Sequence, residues 1–219
     1  MLSGERTHLE GIVDNAPYFG QFKFFNQLNE VYVDAGSYVG DTVERFLWSV
    51  NGVFNHIHAF EPGPRQFAAM GVRVKRLVEE WALDVSSISI NNMALHSVTG
   101  GVRLSSSGPP TQMSVSGDGL VPGLQDSISS ITLDDYLEGG LATLIKIDVE
   151  GNERNLLDGA AETIERYHPK IALSIYHFPT DIFELPLRPE FVDNEYSFSI
   201  RHHSSQLLES VLYLKNDYD

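Results

Sequence analysis

Four short stretches carry side chains able to do chemistry, and each follows an apolar run. The first is Val33-Asp34-Ala35-Gly36-Ser37-Tyr38-Val39-Gly40-Asp41-Thr42. Glycine permits a tight turn and a close approach of backbone to ligand. A helix starting beyond it offers free N–H groups and a positive dipole end, which suit a cofactor carboxylate. A dinucleotide fingerprint centred on Gly36 would also need glycine at positions 34 and 39. Asp34 and Val39 stand there, which weakens a nicotinamide reading. The second stretch is Phe60-Glu61-Pro62. A carboxylate ending a strand can accept two hydrogen bonds from the vicinal hydroxyls of a ribose, the solution related α/β folds use.

The third stretch, Leu144 to Glu153, holds Asp148 and Glu150 two residues apart at a strand end, where both can point to one side. They can position a hydroxyl, hold a base or bind a hard cation. Glu150 and Glu153 also suit the start of a helix, where the dipole favours negative charge. The fourth is Tyr176-His177-Phe178-Pro179-Thr180-Asp181. A histidine takes a proton near neutral pH. Asp181 can orient it or cap the next helix. His202 and His203 are adjacent on a strand and so face opposite ways. His56 and His58 share a face but lie early in a buried strand. Neither pair is read as a zinc site, and no metal site is assigned.

These residues need rigid elements behind them. Strands are expected at Val31–Asp34, Ile57–Phe60, Ile88–Asn92, Leu144–Val149 and Ile171–Tyr176. Helices are expected at about Asp41–Val50, Arg65–Trp81 and Asn152–Tyr167, with a short one at Thr132–Leu137. Alternation in the tail marks two further strands, Tyr196–Arg201 and Ser210–Lys215. The glycine-, proline- and serine-rich stretch 105–126 reads as a loop or short hairpin. Strands alternating with helices imply an α/β fold: a mostly parallel sheet of seven strands, helices on both faces, and an antiparallel C-terminal hairpin at one edge. Ligands in such sheets bind beyond the carboxyl ends of the strands, where all four stretches fall.

The 219 residues suit one domain with a full core. Residues 1–30 are expected to form a cap or lid and residues 31–219 the catalytic domain. The formal net charge of -15 repels phosphate backbones, so nucleic acid is a poor partner. No apolar run approaches the roughly 20 residues of a membrane span. The absence of cysteine and of a signal-peptide pattern leads us to expect a cytoplasmic protein.

The motifs together resemble the FkbM-type methyltransferases: Tyr32-Val33-Asp34-Ala35-Gly36 with Gly40-Asp41-Thr42, Ala59-Phe60-Glu61-Pro62, Asn91-Asn92-Met93-Ala94-Leu95, Thr132 to Tyr136, and Ile145-Lys146-Ile147-Asp148-Val149-Glu150-Gly151. Leu156 to Ala160, Tyr176-His177 with Asp181, and Arg201-His202-His203 continue the likeness. The resemblance implies a Rossmann-like methyltransferase fold with S-adenosylmethionine as donor. It also implies an acceptor hydroxyl on a sugar, glycolipid or polyketide. On this reading Asp34, Gly36, Tyr38, Gly40, Thr42, Glu61, Asn92 and Ala94 bind the cofactor, and His177 or Asp148 is the base. Gly36→Val is expected to block the cofactor while the domain stays folded. The competing readings are a nucleotide-dependent oxidoreductase and a noncatalytic cofactor-binding domain.

Overall fold

Alternate residues along the central strands are buried on opposite faces, and this sets where each helix packs. The computed structural model describes residues 17–20, 29–105, 114–116, 127–204 and 208–216. Strand β1 (Val31–Ala35) leads to helix α1 (Asp41–Ser49), and β2 (His56–Phe60) leads to α2 (Pro64–Glu80) and then β3 (Ile88–Asn91). Four strands follow: β4 (Ala94–Leu95), β5 (Gly100–Ser105), β6 (Ser114–Ser116) and β7 (Ser127–Ile131). Next come α3 (Leu133–Leu137), β8 (Leu144–Ile147), α4 (Glu153–Asp158), α5 (Ala161–Tyr167) and β9 (Lys170–Ser174). The short helices α6 (Asp181–Glu184) and α7 (Pro189–Val192) precede β10 (Tyr196–His202) and β11 (Ser210–Asn216).

The main sheet has seven strands in the order β10-β11-β9-β8-β1-β2-β3. β11 alone runs opposite to the other six strands. The expected fold class holds, including the C-terminal hairpin at one edge. Tyr32, Ile57 and Leu144 pack with Val43, Phe46 and Leu47 of α1 and Met70, Val74 and Leu77 of α2. On the other face Val33, Phe60 and Ile145 pack with Leu133 of α3, Leu156 and Leu157 of α4, and Ile164 of α5. Both helices α1 and α2 turn one apolar stripe inward, as an amphipathic sequence demands. The chain moves outward from β1 to β2 and β3, then returns to β8 on the other side of β1. That reversal opens a crevice beyond the carboxyl ends of β1 and β8.

Two features depart from expectation. The helix expected over 152–167 is two helices, because the chain at Gly159 passes hard against another backbone. A Cβ on Gly159 would lie 2.1 Å from the carbonyl oxygen of His96. The second helix then begins under an external cap: the Asp134 carboxylate accepts from the backbone N–H of Glu162 and Thr163. The other departure is a second sheet, ordered β4-β7-β5-β6. Its strands, such as Ser127-Ile128-Ser129-Ser130-Ile131, are too rich in serine and glycine to show an apolar alternation. Most of the 105–126 stretch lies outside the described residues, as does most of the 1–30 segment. Of that segment, Tyr18 and Phe19 are buried against Tyr32 and Phe46, so this part is packed into the core.

Candidate active site

The crevice is a cleft of about 600 Å³, within the range of small-molecule sites. Its floor is the turn after β1. The N–H groups of Gly36 and Ser37 both donate to the Phe60 carbonyl, at 3.1 and 2.9 Å, tying β1 to the end of β2. Gly36 has φ +78°, and a Cβ there would lie 1.9 Å from the carbonyl oxygen of Asp148. Glycine is required because the ends of β1 and β8 converge. The geometry weighs against the expectation that Gly36→Val would leave the domain folded: the clash is with backbone, before any cofactor enters. Tyr38 follows at φ 49°, a left-handed conformation uncommon for a bulky residue. Its ring is exposed and lines the cleft.

That strained turn aims the Tyr38 N–H at Glu61. Glu61 Oε2 accepts from Tyr38 at 2.9 Å, and Oε1 accepts from the Gly63 N–H at 2.8 Å. Burial raises the carboxyl's pKa, and these two bonds partly offset the rise by favouring the charged form. Glu61 is thus a fixed, nearly buried acceptor at the cleft wall.

Asp34 is fully buried and does not line the cleft. It accepts from the Thr42 hydroxyl and pairs with Lys146 Nζ at 3.3 Å. Lys146 also donates to the carbonyls of Ala35 and Gly36, at 3.1 and 2.6 Å. Asp34 therefore shapes the turn through Thr42 and Lys146, both of which line the cleft. Gly40, at φ 79°, is the N-cap of α1 and lies off the cleft. Asn92 also lies off it, donating to the carbonyls of Glu61 and Pro62 at 2.9 and 3.1 Å. Ala94 lines the cleft beside Met93 and Leu95.

Asp148 stands at the end of β8 with its carboxylate between two tyrosines. Oδ2 accepts from the Tyr18 hydroxyl at 2.9 Å and Oδ1 from the Tyr176 hydroxyl at 3.1 Å. Burial, and then the charge of Asp148, push both hydroxyl pKa values up, so both tyrosines remain donors. Tyr18 is held in turn by its own N–H, which donates to the Tyr213 hydroxyl at 2.9 Å.

His177 lies behind this group and does not line the cleft. Its side chain is 4% exposed, with Nδ1 3.0 Å from Glu153 and Nε2 3.5 Å from Glu150 and 3.6 Å from Asp148. Burial alone lowers its pKa, but contacts with Glu150 and Glu153 and the charges of Glu153 and Asp148 outweigh that and raise it to about 10. Asp181 does not orient it. That carboxylate accepts from the Phe178 N–H and from Arg154. Glu153 stands against the ring instead, while its Oε1 also accepts from the N–H groups of Val149 and Gly151. Sequence reasoning missed Lys146 and Tyr18. The signal for Lys146 was a cation inside the buried run Leu144-Ile145-Lys146-Ile147; Tyr18 lies in the segment expected as a cap or lid, with no motif to mark it as a partner of Asp148.

No helix among the described residues is long and apolar enough to cross a membrane. The family model described as Methyltransferase FkbM domain matches residues 34–207. Among solved structures, methyltransferase FkbM from Methylobacillus flagellatus KT superposes with a TM-score of 0.74 at 23% identity, over 96% of this chain and 50% of that one. The chain thus spans about half the length of that relative. A putative rRNA-methylase from Clostridium thermocellum has a TM-score of 0.52 at 8% identity, over 95% of this chain and 90% of its own. An rRNA methylase from Streptococcus thermophilus reaches 0.50 at 11% identity, over 99% of both chains. No curated protein matches the sequence.

Proposed function

This chain belongs to the FkbM methyltransferase family, and we propose on that premise that it moves a methyl group from S-adenosylmethionine to a hydroxyl of a sugar, glycolipid or glycosylated natural product. One observation carries the cofactor assignment. Glu61 ends β2 with each oxygen already fixed by a backbone N–H, so its remaining lone pairs are aimed for a pair of ribose hydroxyls. Gly36 and Tyr38 form the adjoining wall, Thr42 lines it with its hydroxyl donated to Asp34, and Arg45 at the start of α1 supplies a cation for the cofactor's carboxylate.

When bound, S-adenosylmethionine supplies a methyl group on a sulfonium, whose transfer to oxygen leaves the electron pair on sulfur and releases the acceptor's proton. The protein's part is alignment and acceptance of that proton. Of the two candidate bases, Asp148 is the better placed, since it lines the cleft and Tyr18 and Tyr176 fix its orientation. His177 is a positioning residue. It lies off the cleft, with its ring against Glu153, and so cannot reach the acceptor.

Calorimetry with S-adenosylmethionine and its demethylated product tests the cofactor, and failure of both to bind overturns the reading. Incubation with methyl-labelled donor and a panel of glycans and hydroxylated metabolites tests the acceptor; a methyl ether is the expected product, and methyl on nitrogen alone rejects the hydroxyl assignment. With an accepted substrate, Asp148→Asn should lower turnover by about 10²–10⁴-fold, the usual weight of a general base. Cofactor affinity should change little. A variant that retains most of its rate removes Asp148 from the chemistry.

A further inference from the structure

Behind the cleft wall, one imidazole is surrounded by three carboxylates. Asp148, Glu153 and His177 each offer a donor atom, and these atoms all lie within 4.8 Å of one another. Glu150 Oε2 comes within 3.5 Å of the same ring. Such a cluster has the parts of a cation site, but acidic groups gather without one. Two further observations point to a ligand. His177 is 4% exposed, yet neither ring nitrogen makes a well-formed hydrogen bond. Buried polar groups left so are rare and call for an explanation.

The second observation is charge. The three carboxylates outnumber the single imidazole; Glu153 is buried, while Asp148 and Glu150 are partly exposed, so the cluster carries excess negative charge within reach of solvent. The neighbouring cations are committed elsewhere: Lys146 to Asp34 and two carbonyls, Arg154 to Asp181 and Glu184. Glu153 is already fixed by the N–H groups of Val149 and Gly151, so the donors are organised in advance.

We propose that Asp148, Glu153 and His177 bind a divalent cation at the back of the cleft, the cation replacing the proton of His177, which is released to solvent. Two carboxylates favour Mg²⁺ or Mn²⁺, and the imidazole tips the set toward a first-row ion such as Mn²⁺. Asp148 can serve both purposes, with Oδ1 on the His177 side and Oδ2 on the side of Tyr18, which lines the cleft. A cation there lowers the pKa of a nearby acceptor hydroxyl. That role rests on the methyl-transfer reading; binding of the cation does not.

The test uses the full chain and Mn²⁺ alone, without cofactor or acceptor, so its failure is distinct from failure of the proposed reaction. Titration followed by electron paramagnetic resonance should show one equivalent of Mn²⁺ bound, with spin-echo modulation from a directly coordinated imidazole nitrogen. Asp148→Asn and His177→Asn should each weaken binding by on the order of 100-fold, the upper end of what lost supporting groups cost metal sites. His177→Asn should also abolish the nitrogen modulation. Should His177→Asn fail to fold, the partly exposed Asp148→Asn carries the affinity test and the parent's nitrogen signal remains. Glu44→Gln, on the surface, should bind as the parent does. No stoichiometric binding at millimolar Mn²⁺ overturns the proposal. So does binding that either site variant leaves unchanged, or binding without nitrogen modulation.

Discussion

Glu61 and His58 are both partly withdrawn from water, and burial disfavours the charged form of each, against which only Glu61 has hydrogen-bond donors. Glu61 is kept as an acceptor by two N–H groups. Glu61→Ala should weaken binding of the demethylated cofactor by about 1–3 kcal/mol, the scale of charged hydrogen bonds. Calorimetry showing parent affinity would place the ribose elsewhere. His58 is kept neutral. Burial, and then its neighbour His56, lower its pKa to about 4, and Nδ1 lies 3.1 Å from the Tyr136 hydroxyl. In the unfolded chain the ring titrates near 6.5. Its folded-state pKa is depressed, so the unfolded state binds more protons between those values. Stability is unaffected by this ring above about pH 6.5 and is lost as pH falls from there toward 4. Discounted for the ring's partial exposure, the loss is on the order of 2 kcal/mol. Urea denaturation at pH 7 and pH 4.5 should show a smaller drop for His58→Gln than for the parent; equal drops would clear His58 of the effect.

Among the elements, the decisive contact is the one between the ends of β1 and β8. Asp34 pairs in register with Lys146 and Ala35 with Ile147, which brings Gly36 against the Asp148 carbonyl. Gly36→Val adds a branched side chain at positive φ where a Cβ alone would be 1.9 Å from backbone. It should destabilise the domain by more than about 4 kcal/mol, the range of severe backbone and packing defects. Thermal melting by circular dichroism checks this. A native-like melt with lost cofactor binding would show that the strand ends can yield and that the glycine serves the ligand instead.

The whole molecule carries a formal charge of -15. Two of its fold neighbours are described as a putative rRNA-methylase and an rRNA methylase, at 8% and 11% identity. Fold does not carry the acceptor with it. Like-charge repulsion should keep this chain from RNA, so fluorescence anisotropy at physiological salt should show no association with an rRNA fragment at micromolar protein. Binding tighter than the roughly 10⁻⁴–10⁻⁶ M of ordinary nonspecific contacts would make nucleic acid a live acceptor.

Sequence alone determined the alternation of strands and helices, the C-terminal hairpin and the family, because these rest on local apolar periods and on short motifs at strand ends. It also placed Gly36, Tyr38, Thr42, Glu61, Ala94 and Asp148 on one rim, where the structure brings them to one cleft. Only the tertiary structure divided the other candidates by role: Asp34, Gly40 and Asn92 shape the backbone, and His177 sits behind Asp148. The break at Gly159 depends on His96, 63 residues away, and no window along the chain contains both. Tyr18 reaches Asp148 across 130 residues. The convergence of Asp148, Glu153 and His177 likewise needs β8 and β9 to lie side by side. Spacing along one strand or helix fixes what local geometry can fix; partners drawn from different strands meet only once the sheet has set their register.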